Sequence, residues 1–415
     1  MKYAVLFQGQ GKYDLKYVQE LYRKSKVVKN IIEKADSMLD YSLMDQIMNE
    51  SSTEKFDTDF SQVIIFVTEY ACYKYLQDYY EEKPTYLAGH SLGEITALTA
   101  AGAIAFEDAV RLVALRGRLM KNSLGNKPQG MMAVRNTKYE VLMDMCKKIE
   151  NDTDNCVVCA NYNSANQIVL SGYKEALDII KHDLPENTCK MLEVTHAFHS
   201  PLMKEITGEF NAFVKQIEFK QPTIPVVSSV TAYPYVASWS IPEMLTTQLT
   251  SNVQWKSVID YLEKRGCVYF VQVTDSPLFK TMDNSLSKNH VWITPEKLNS
   301  KDRFDFNSLY AKSADNSFTQ VMIVGDILFT MIAFPWNLQA TEEEIMWAKK
   351  EYDRIQKNYI KCCDDNIEVS KKELSEYISV LNKVLDLKEL QDEDKNTIIS
   401  GILRKYGLEG EYNEK

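Results

Sequence analysis

The sequence predicts an α/β fold whose core is a parallel β-sheet. Residues Tyr3–Phe7 form a short apolar segment typical of a strand, and Ser61–Tyr80 shows the periodicity of a helix. A second short strand, Thr85–Gly89, runs directly into a helix that begins near Glu94. Strands separated by helices pair in parallel, because the chain must cross over the sheet between them.

The stretch from residue 128 to residue 195 has a different order of elements. Four segments have strand character: Gly130–Val134, Cys156–Ala160, Gln167–Gly172 and Lys190–Val194. Two segments have helical character: Tyr139–Lys148 and Tyr173–Lys181. The resulting βαββαβ order predicts a small ferredoxin-like subdomain inserted into the larger fold.

The character of the chain changes again from about residue 300. Three charged helices with apolar stripes follow: 341–361, 369–388 and 392–406. We therefore expect three parts: a large subdomain from residues 1–127 and 196–298, the small subdomain 128–195, and a C-terminal helical extension 299–415. Amphipathic stripes favour an extension that packs as a cap, with docking to a partner protein as the alternative.

The charge of the chain argues against two classes of partner. The formal net charge is -10 at pH 7, and the isoelectric point is about 5.3. A nucleic-acid binder needs a basic face, and a protein held on anionic lipid by charge needs the same. We expect neither nucleic acid nor a membrane as partner.

One apolar segment approaches the length of a membrane span. Phe318–Trp336 is apolar except for a few polar residues, and Asp326 lies near its centre. A charge at that depth in a bilayer is costly, so the segment is predicted to be a buried core helix.

The eight cysteines show no spacing typical of a disulfide framework. Cys156-x-x-Cys159 lies in an apolar segment without a second pair, which favours buried thiols over a metal or redox site. The start of the chain also lacks the pattern of a signal peptide. We expect a cytoplasmic protein without a metal cofactor.

A candidate nucleophile lies between the second strand and the following helix. Gly89-His90-Ser91-Leu92-Gly93 fits the pattern G-x-S-x-G, in which a sharp strand-to-helix turn exposes the serine hydroxyl. Glycines flank the serine because side chains there would collide with neighbouring backbone. The start of the helix favours developing negative charge, so the pattern predicts a catalytic serine at residue 91.

A nucleophilic serine needs a base, and the chain has five histidines. His90 would point away from the serine on such a turn, while His182 and His290 lie among polar residues and are expected in solvent. His196 and His199 remain, and their spacing alone does not decide between them.

Further motifs occur in a fixed order along the chain: Phe7-Gln8-Gly9-Gln10-Gly11, Gly89-His90-Ser91-Leu92-Gly93-Glu94, Leu115-Arg116-Gly117-Arg118-Leu119-Met120, Asn161-Tyr162-Asn163-Ser164, His196-Ala197-Phe198-His199-Ser200-Pro201 and Asn252-Val253-Gln254-Trp255. Up to about residue 290 the chain therefore resembles the malonyl-CoA:acyl-carrier-protein transacylases, and most of all the acyltransferases of polyketide synthases. The resemblance implies a hydrolase-like parallel-sheet core that carries the ferredoxin-like insertion. It does not cover the C-terminal helices.

The resemblance also implies catalytic roles. Ser91 would be the nucleophile and His199 the base, with the backbone carbonyl of Gln248 orienting the imidazole in place of an aspartate. The backbone N–H groups of Gln10 and Leu92 would form the oxyanion hole.

Four further matches concern the acyl group. Arg116 would bind the free carboxylate of malonyl, because a guanidinium offers paired donors to a planar carboxylate. Gln62 and Asn161 match polar positions of the family's pocket. Phe198 would crowd an α-methyl group and so favour malonyl, by about 1–3 kcal/mol for one methyl.

The chain departs from the family at two places. Gln8 stands where the family usually has proline, so a less rigid turn is expected, although the glycines and Gln10 remain. Thr274-Asp275-Ser276-Pro277 stands where the family often has a Gly-Pro-Gly loop. We therefore do not transfer the family's backbone conformation near the acyl-CoA entrance to this chain.

The implied activity is transfer of malonyl from malonyl-CoA to the phosphopantetheine thiol of an acyl carrier protein, without a cofactor. The His-Ala-Phe-His motif and the extra helices favour action in trans on a polyketide synthase, and fatty-acid synthesis is the alternative setting. An acyl-carrier-protein hydrolase of the same fold is the rival activity, which Arg116 argues against. Retention of Ser91 and His199 argues against a non-catalytic relative.

Overall fold

The computed structural model describes residues 2–11, 15–49, 57–79, 83–123, 127–267, 269–274, 291–293, 323–324, 327–328, 330–331, 340–365, 369–388 and 390–405. These residues fall into two units. The first contains Lys2–Glu263 and Cys267–Phe304, and the second is built mainly from Asp305–Lys415. The domain boundaries predicted from the sequence stay predictions, and the departure at residues 275–277 lies outside the described residues.

The strands of the first unit, in chain order, are β1 (Tyr3–Phe7), β2 (Tyr86–Gly89), β3 (Gln129–Arg135), β4 (Val157–Ser164), β5 (Gln167–Tyr173), β6 (Cys189–Met191), β7 (Val226–Val227), β8 (Tyr269–Gln272) and β9 (Val291–Ile293). Its helices are α1 (Lys16–Lys24), α2 (Lys26–Asp36), α3 (Leu43–Asn49), α4 (Thr58–Tyr79), α5 (Leu92–Ala100), α6 (Phe106–Asn122), α7 (Tyr139–Asp152), α8 (Lys174–Asp183), α9 (Lys204–Val214), α10 (Ile241–Gln248) and α11 (Trp255–Lys264).

Five strands form the parallel sheet, in the order β7-β2-β1-β8-β9. All five residues of the central strand β1 are buried, as expected for an apolar strand that is covered on both faces. Phe7 pairs with Gly89, so β1 and β2 end side by side at one edge of the sheet. The predicted α/β fold with a hydrolase-like parallel core is confirmed.

Helix α5 occupies a central position on this sheet. All nine of its residues are buried, because it packs on β1 and β2 and also against α4 and α6. Its polar side chains are buried as well, so they need hydrogen-bond partners within the protein. Its N-terminus lies at the sheet edge where β2 ends, one residue after Ser91.

The predicted ferredoxin-like insertion is also confirmed. Strands β3 to β6 form an antiparallel sheet in the order β4-β5-β3-β6, and helices α7 and α8 supply apolar residues to its core. Strand β6 is an edge strand and pairs with β3 over three positions only. It begins one residue before the predicted segment Lys190–Val194 and ends at Met191, although the Leu192 N–H still donates to the Met131 carbonyl at 2.9 Å.

The second unit contains helices α12 (Glu342–Asp365), α13 (Lys371–Asp386) and α14 (Asp392–Lys405). The Ser370 side chain accepts from the Glu373 N–H, while the Glu373 carboxylate accepts from Ser370, and this capping box fixes the start of α13. Apolar residues of α12 and α13, such as Ile355 and Leu381, pack into one buried cluster. The C-terminal helical extension predicted from the sequence is present.

The apolar segment around residue 326 contributes to the same cluster. Ile323, Val324, Ile327, Leu328 and Met331 are all buried there, with the spacing of one helix face. Across the described residues, no helix is long and apolar enough to span a bilayer. The burial of these five residues agrees with the predicted core segment.

Gly93 offers a test of the packing between α5 and β1. A Cβ at residue 93 would lie 2.3 Å from the Phe7 carbonyl oxygen, so Gly93→Ala forces backbone apart. We expect the free energy of unfolding to fall by roughly 2–3 kcal/mol, measured by urea denaturation.

Gly208 in α9 is the matched control, because a Cβ there meets nothing within 4 Å. Gly208→Ala should raise the free energy of unfolding by about 0.5–1 kcal/mol, since alanine loses less backbone entropy in a helix. Equal effects of the two substitutions would contradict the packing described for Gly93.

Candidate active site

Ser91 occupies the sharp turn between β2 and α5. Its φ angle is 54°, in the left-handed region that few residues other than glycine adopt. A Cβ at Gly89 would lie 1.9 Å from the carbonyl carbon of Gly93, so the two ends of the turn meet through backbone alone. This contact is the physical reason for glycine at residue 89, and the close approach of the Phe7 carbonyl is the reason at residue 93.

The loop after β1 lies directly against this turn. The His90 N–H donates to the Phe7 carbonyl at 2.9 Å, and a Cβ at Gly9 would lie 2.7 Å from the His90 carbonyl oxygen. The Gln10 side chain donates from Nε2 to Thr58 Oγ1 at 3.2 Å. Glycine at residue 9 therefore allows the loop backbone to approach the nucleophile.

The two predicted oxyanion donors lie in the segments that meet at this point. Gln10 belongs to the loop after β1, and Leu92 is the first residue of α5. A backbone N–H in the first turn of a helix has no partner within the helix. Their joint role as an oxyanion hole stays a prediction.

The departure at residue 8 is compensated by a carboxyl group that sequence reasoning missed. The Gln8 N–H donates to Glu69 Oε1 at 2.7 Å, a bond that proline would be unable to make. Thr96 donates to the other oxygen of Glu69 at 3.4 Å. Burial raises the pKa of Glu69 well above its ordinary value, against the opposite effect of these two bonds. The only sequence signal was a lone acidic residue within the apolar run of α4.

His199 is the histidine that reaches the nucleophile. Its Nε2 lies 2.7 Å from Ser91 Oγ, and its Nδ1 lies 2.9 Å from the backbone oxygen of Gln248. Because a carbonyl only accepts, Nδ1 carries the proton and Nε2 is left to accept from Ser91. His196 bonds instead to Thr195 Oγ1 through Nδ1. The sequence spacing did not distinguish His196 from His199, and the distances show that His199 is the one in contact with Ser91.

The surroundings of His199 keep its imidazole neutral. Burial lowers the pKa of His199 to about 3, with the positive charge of Arg116 as the second cause. The hydrogen bond to the Gln248 carbonyl acts in the opposite direction. A neutral imidazole is the form that accepts a proton.

Arg116 is almost fully buried next to the nucleophile, with 2% of its surface exposed. Its Nη1 donates to Gln62 Oε1 at 2.7 Å, and its Nη2 donates to Ser91 Oγ at 3.0 Å and to Gln248 Oε1 at 3.2 Å. Burial lowers the pKa of Arg116 to about 10, while the charge of Glu94 opposes this effect. A cation is therefore held where an acyl group on Ser91 would lie.

The other two predicted residues belong to neighbouring contacts. Asn161 Nδ2 lies 3.4 Å from His90 Nε2, which also contacts Asn163 Oδ1 at 2.9 Å. Phe198 is buried and stacks on the ring of His196, with ring centroids 5.9 Å apart. Neither contact involves Ser91 directly, and the roles predicted for Asn161 and Phe198 stay predictions.

Glu94 is the second buried carboxylate for which no role was predicted. It lies in α5, is fully buried, and accepts hydrogen bonds from Ser229, Tyr235 and Gln248. Its place in the Ser91 motif was visible in the sequence, but its partners lie more than 130 residues away.

These contacts define what the site can do chemically. A serine hydroxyl in hydrogen-bond contact with a neutral imidazole can be deprotonated as it attacks an acyl carbon. A guanidinium 3.0 Å from the same oxygen suits an acyl group with a second, anionic end.

Comparisons with known proteins agree with this chemistry. Residues 5–286 match the family described as acyl transferase domain. A malonyl CoA-acyl carrier protein transacylase of Staphylococcus aureus is 30% identical over 275 residues, which cover 66% of this chain and 88% of the relative.

Solved structures of such enzymes have the same fold. FabD from Acinetobacter baumannii is 28% identical, with a TM-score of 0.67 over 75% of this chain and 98% of that one. A malonyl-transacylase in complex with a type II PKS acyl-carrier protein is 26% identical, with a TM-score of 0.66 over 71% of this chain and 96% of that one. The chain belongs to the acyltransferase family that includes the malonyl CoA-acyl carrier protein transacylases.

Proposed function

We propose that the protein transfers malonyl from malonyl-CoA to the phosphopantetheine thiol of an acyl carrier protein through an acyl ester on Ser91. The observation that carries the proposal is the convergence of two groups on one oxygen: His199 Nε2 at 2.7 Å and Arg116 Nη2 at 3.0 Å from Ser91 Oγ. The first suits proton transfer, and the second suits a substrate carboxylate.

In the first half of the reaction, Ser91 Oγ attacks the thioester carbonyl carbon and its proton passes to His199 Nε2. The N–H groups of Gln10 and Leu92 stabilise the oxyanion of the tetrahedral intermediate. The carbon–sulfur bond then breaks, and the CoA sulfur leaves with the proton from His199. Arg116 exchanges its bond to Ser91 for a pair of bonds to the malonyl carboxylate.

In the second half, the thiol of the carrier protein takes the place of CoA. Its proton passes to His199, and its sulfur attacks the ester carbonyl on Ser91. The ester bond breaks and Ser91 recovers the proton from His199, which leaves malonyl on the carrier. The buried site limits competition from water, which would release free malonate instead.

Action in trans on a polyketide synthase is the setting that we propose. The malonyl-transacylase solved with a type II PKS acyl-carrier protein supports it, as do the His-Ala-Phe-His motif and the additional C-terminal helices. Fatty-acid synthesis is the alternative. The relatives are named malonyl CoA-acyl carrier protein transacylases, a name that fits either pathway. Hydrolysis of acyl carriers is the rival activity, and buried Arg116 argues against it.

We also propose a cytoplasmic location and the three-part domain division predicted from the sequence. Seven cysteines whose side chains are described are free thiols, which suits a reducing compartment.

Labelling of Ser91 tests the function. Incubation with malonyl-CoA should add one malonyl group to the wild-type protein and none to Ser91→Ala, as measured by intact-protein mass spectrometry. A carrier protein added afterwards should remove the group as malonyl-carrier, whereas release of free malonate instead would favour the hydrolase.

A mixture of CoA thioesters tests the predicted role of Phe198 in the same assay. We expect the malonyl adduct to dominate over the α-methyl adduct, since one methyl is worth about 1–3 kcal/mol in a tight pocket. A dominant α-methyl adduct would contradict the role given to Phe198.

Arg116→Gln should lower kcat/KM for acylation by malonyl-CoA by roughly 100-fold, the equivalent of about 3 kcal/mol for lost charge-assisted bonds. Acylation by acetyl-CoA should fall much less, because acetyl has no carboxylate. Arg118→Gln is the matched control, since that side chain is on the same helix but exposed. Equal losses with malonyl and acetyl would mean that Arg116 acts on Ser91 rather than on the substrate.

The pH dependence of acylation tests the state of His199. Its pKa is lowered to about 3, and protonation would remove the base, so kcat/KM should stay constant as the pH falls from 8 to 5. An ordinary histidine would lose activity with a midpoint near pH 6.5. Aliquots returned to pH 7.5 and assayed again control for acid unfolding, and a reversible midpoint near 6.5 would show that His199 is not held neutral.

A further inference from the structure

We propose that Glu94 is a positioning residue that holds Gln248 in place and through it sets both His199 and Arg116 for reaction. The inference deepens the proposed function and rests on it. The carboxylate of Glu94 contacts Ser229, Tyr235 and Gln248 rather than Ser91 Oγ, so its effect is exerted through other side chains.

Glu94 is a buried carboxylate with a full set of donors. Its Oε2 accepts from Gln248 Nε2 at 2.6 Å, from the Ser229 N–H at 3.1 Å and from Ser229 Oγ at 2.5 Å. Its Oε1 accepts from the Tyr235 hydroxyl at 2.5 Å. Burial, and then the charge of Glu94, raise the pKa of Tyr235 well above its ordinary value, so the phenol stays a donor. These bonds leave the carboxylate little freedom to turn.

The fixed carboxylate decides which way the Gln248 amide points. A carboxylate only accepts, so the amide nitrogen of Gln248 must face Glu94, and the same nitrogen donates to the Ser91 carbonyl at 3.0 Å. The amide oxygen then faces the opposite side, where it accepts from Arg116 Nη2 at 3.2 Å. A flipped amide would place its NH₂ group against the guanidinium.

Gln248 also orients the base through its backbone. It is the last residue of α10, and its carbonyl oxygen accepts from His199 Nδ1 at 2.9 Å. A single residue therefore contacts His199, Arg116 and the backbone of Ser91. Its side chain is secured by Glu94, so the position of all three depends on that carboxylate.

Charge balance gives Glu94 a second effect on Arg116. The guanidinium is buried among Gln62 of α4, Ser91, and Gln248 of α10. Its charge also lowers the pKa of His199. Glu94 of α5 is the acidic group that raises the pKa of Arg116 against the cost of burial. The carboxylate thus offsets part of the effect of burial on the pKa of Arg116.

A role limited to folding is the competing explanation, because Glu94 also ties α5 to the segment around Ser229 and Tyr235. The two explanations differ in their consequences at alkaline pH. If Glu94 acts only in folding, its substitution would change stability and rate without changing the pH at which Arg116 loses its proton. A positioning and charge-balancing role would change that pH as well.

The test is the rate of malonylation of Ser91 as a function of pH in Glu94→Gln and in the wild type. Glu94→Gln removes the charge and keeps the size, so kcat/KM at pH 7 should fall by roughly 10- to 100-fold, as expected when reacting groups are misplaced. The loss of activity at alkaline pH should begin at a lower pH than in the wild type, because the Arg116 pKa falls.

Two further variants separate charge from hydrogen bonding. Tyr235→Phe removes one donor and keeps the Glu94 charge, so the rate should fall less and the alkaline loss should begin as in the wild type. Glu209→Gln makes the same charge change on an exposed side chain, and should match the wild type in both measurements.

A wild-type rate in Glu94→Gln, or a lower rate with an unchanged alkaline profile, would overturn the proposal. If thermal melting shows that Glu94→Gln does not fold, the double variant Ser229→Ala, Tyr235→Phe decides. A reduced rate at a wild-type melting temperature supports the proposal, whereas a wild-type rate, or a reduced rate that accompanies a lowered melting temperature, overturns it. Absence of malonyl on wild-type Ser91 would instead refute the proposed function itself.

Discussion

The close approach of backbone to backbone at the end of β1 and β2 is the constraint on which the site depends. Gly9 lies against the His90 carbonyl, and Gly93 lies against the Phe7 carbonyl, at distances where any side chain would collide. This packing holds Ser91 at a φ of 54° and places the loop after β1 next to it. The strain of that conformation is sustained because the neighbouring sheet and α5 leave the turn no room to relax.

Buried charge is the second feature that shapes the site. Arg116, Glu94 and Glu69 are all removed from solvent, which is costly unless hydrogen bonds replace the lost water. Arg116 and Glu94 share the amide of Gln248, which connects the cation to the anion without direct contact. Glu69 instead takes the N–H of Gln8. Each of these buried groups thus fixes a different part of the candidate site.

The neutral state of His199 follows from the same surroundings. A buried imidazole next to a guanidinium is neutral in the free protein, so its Nε2 is available to accept the Ser91 proton during attack. Binding of a carboxylate to Arg116 would offset the charge that lowers the His199 pKa. Substrates with a free carboxylate would therefore meet a stronger base than substrates without one.

Local sequence patterns determined the fold class, the elbow and the nucleophile. An apolar run such as Tyr3–Phe7 is typical of a strand that is buried on both faces. The glycines around Ser91 are needed where backbone packs against backbone. Both features can be recognised from neighbouring residues alone. The family resemblance added His199, Gln248 and Arg116. Their contacts with Ser91 span 25 to 157 residues of sequence, and no local pattern encodes such distances.

Only the tertiary structure decided which buried polar groups support those residues. Glu69 compensates for Gln8, and Tyr235 secures Glu94, because folding brings together residues that are 61 and 141 positions apart in the sequence. A carboxylate in a sequence looks the same whether it is solvated or buried. Its role depends on the donors that surround it, and these are fixed by packing rather than by neighbours along the chain.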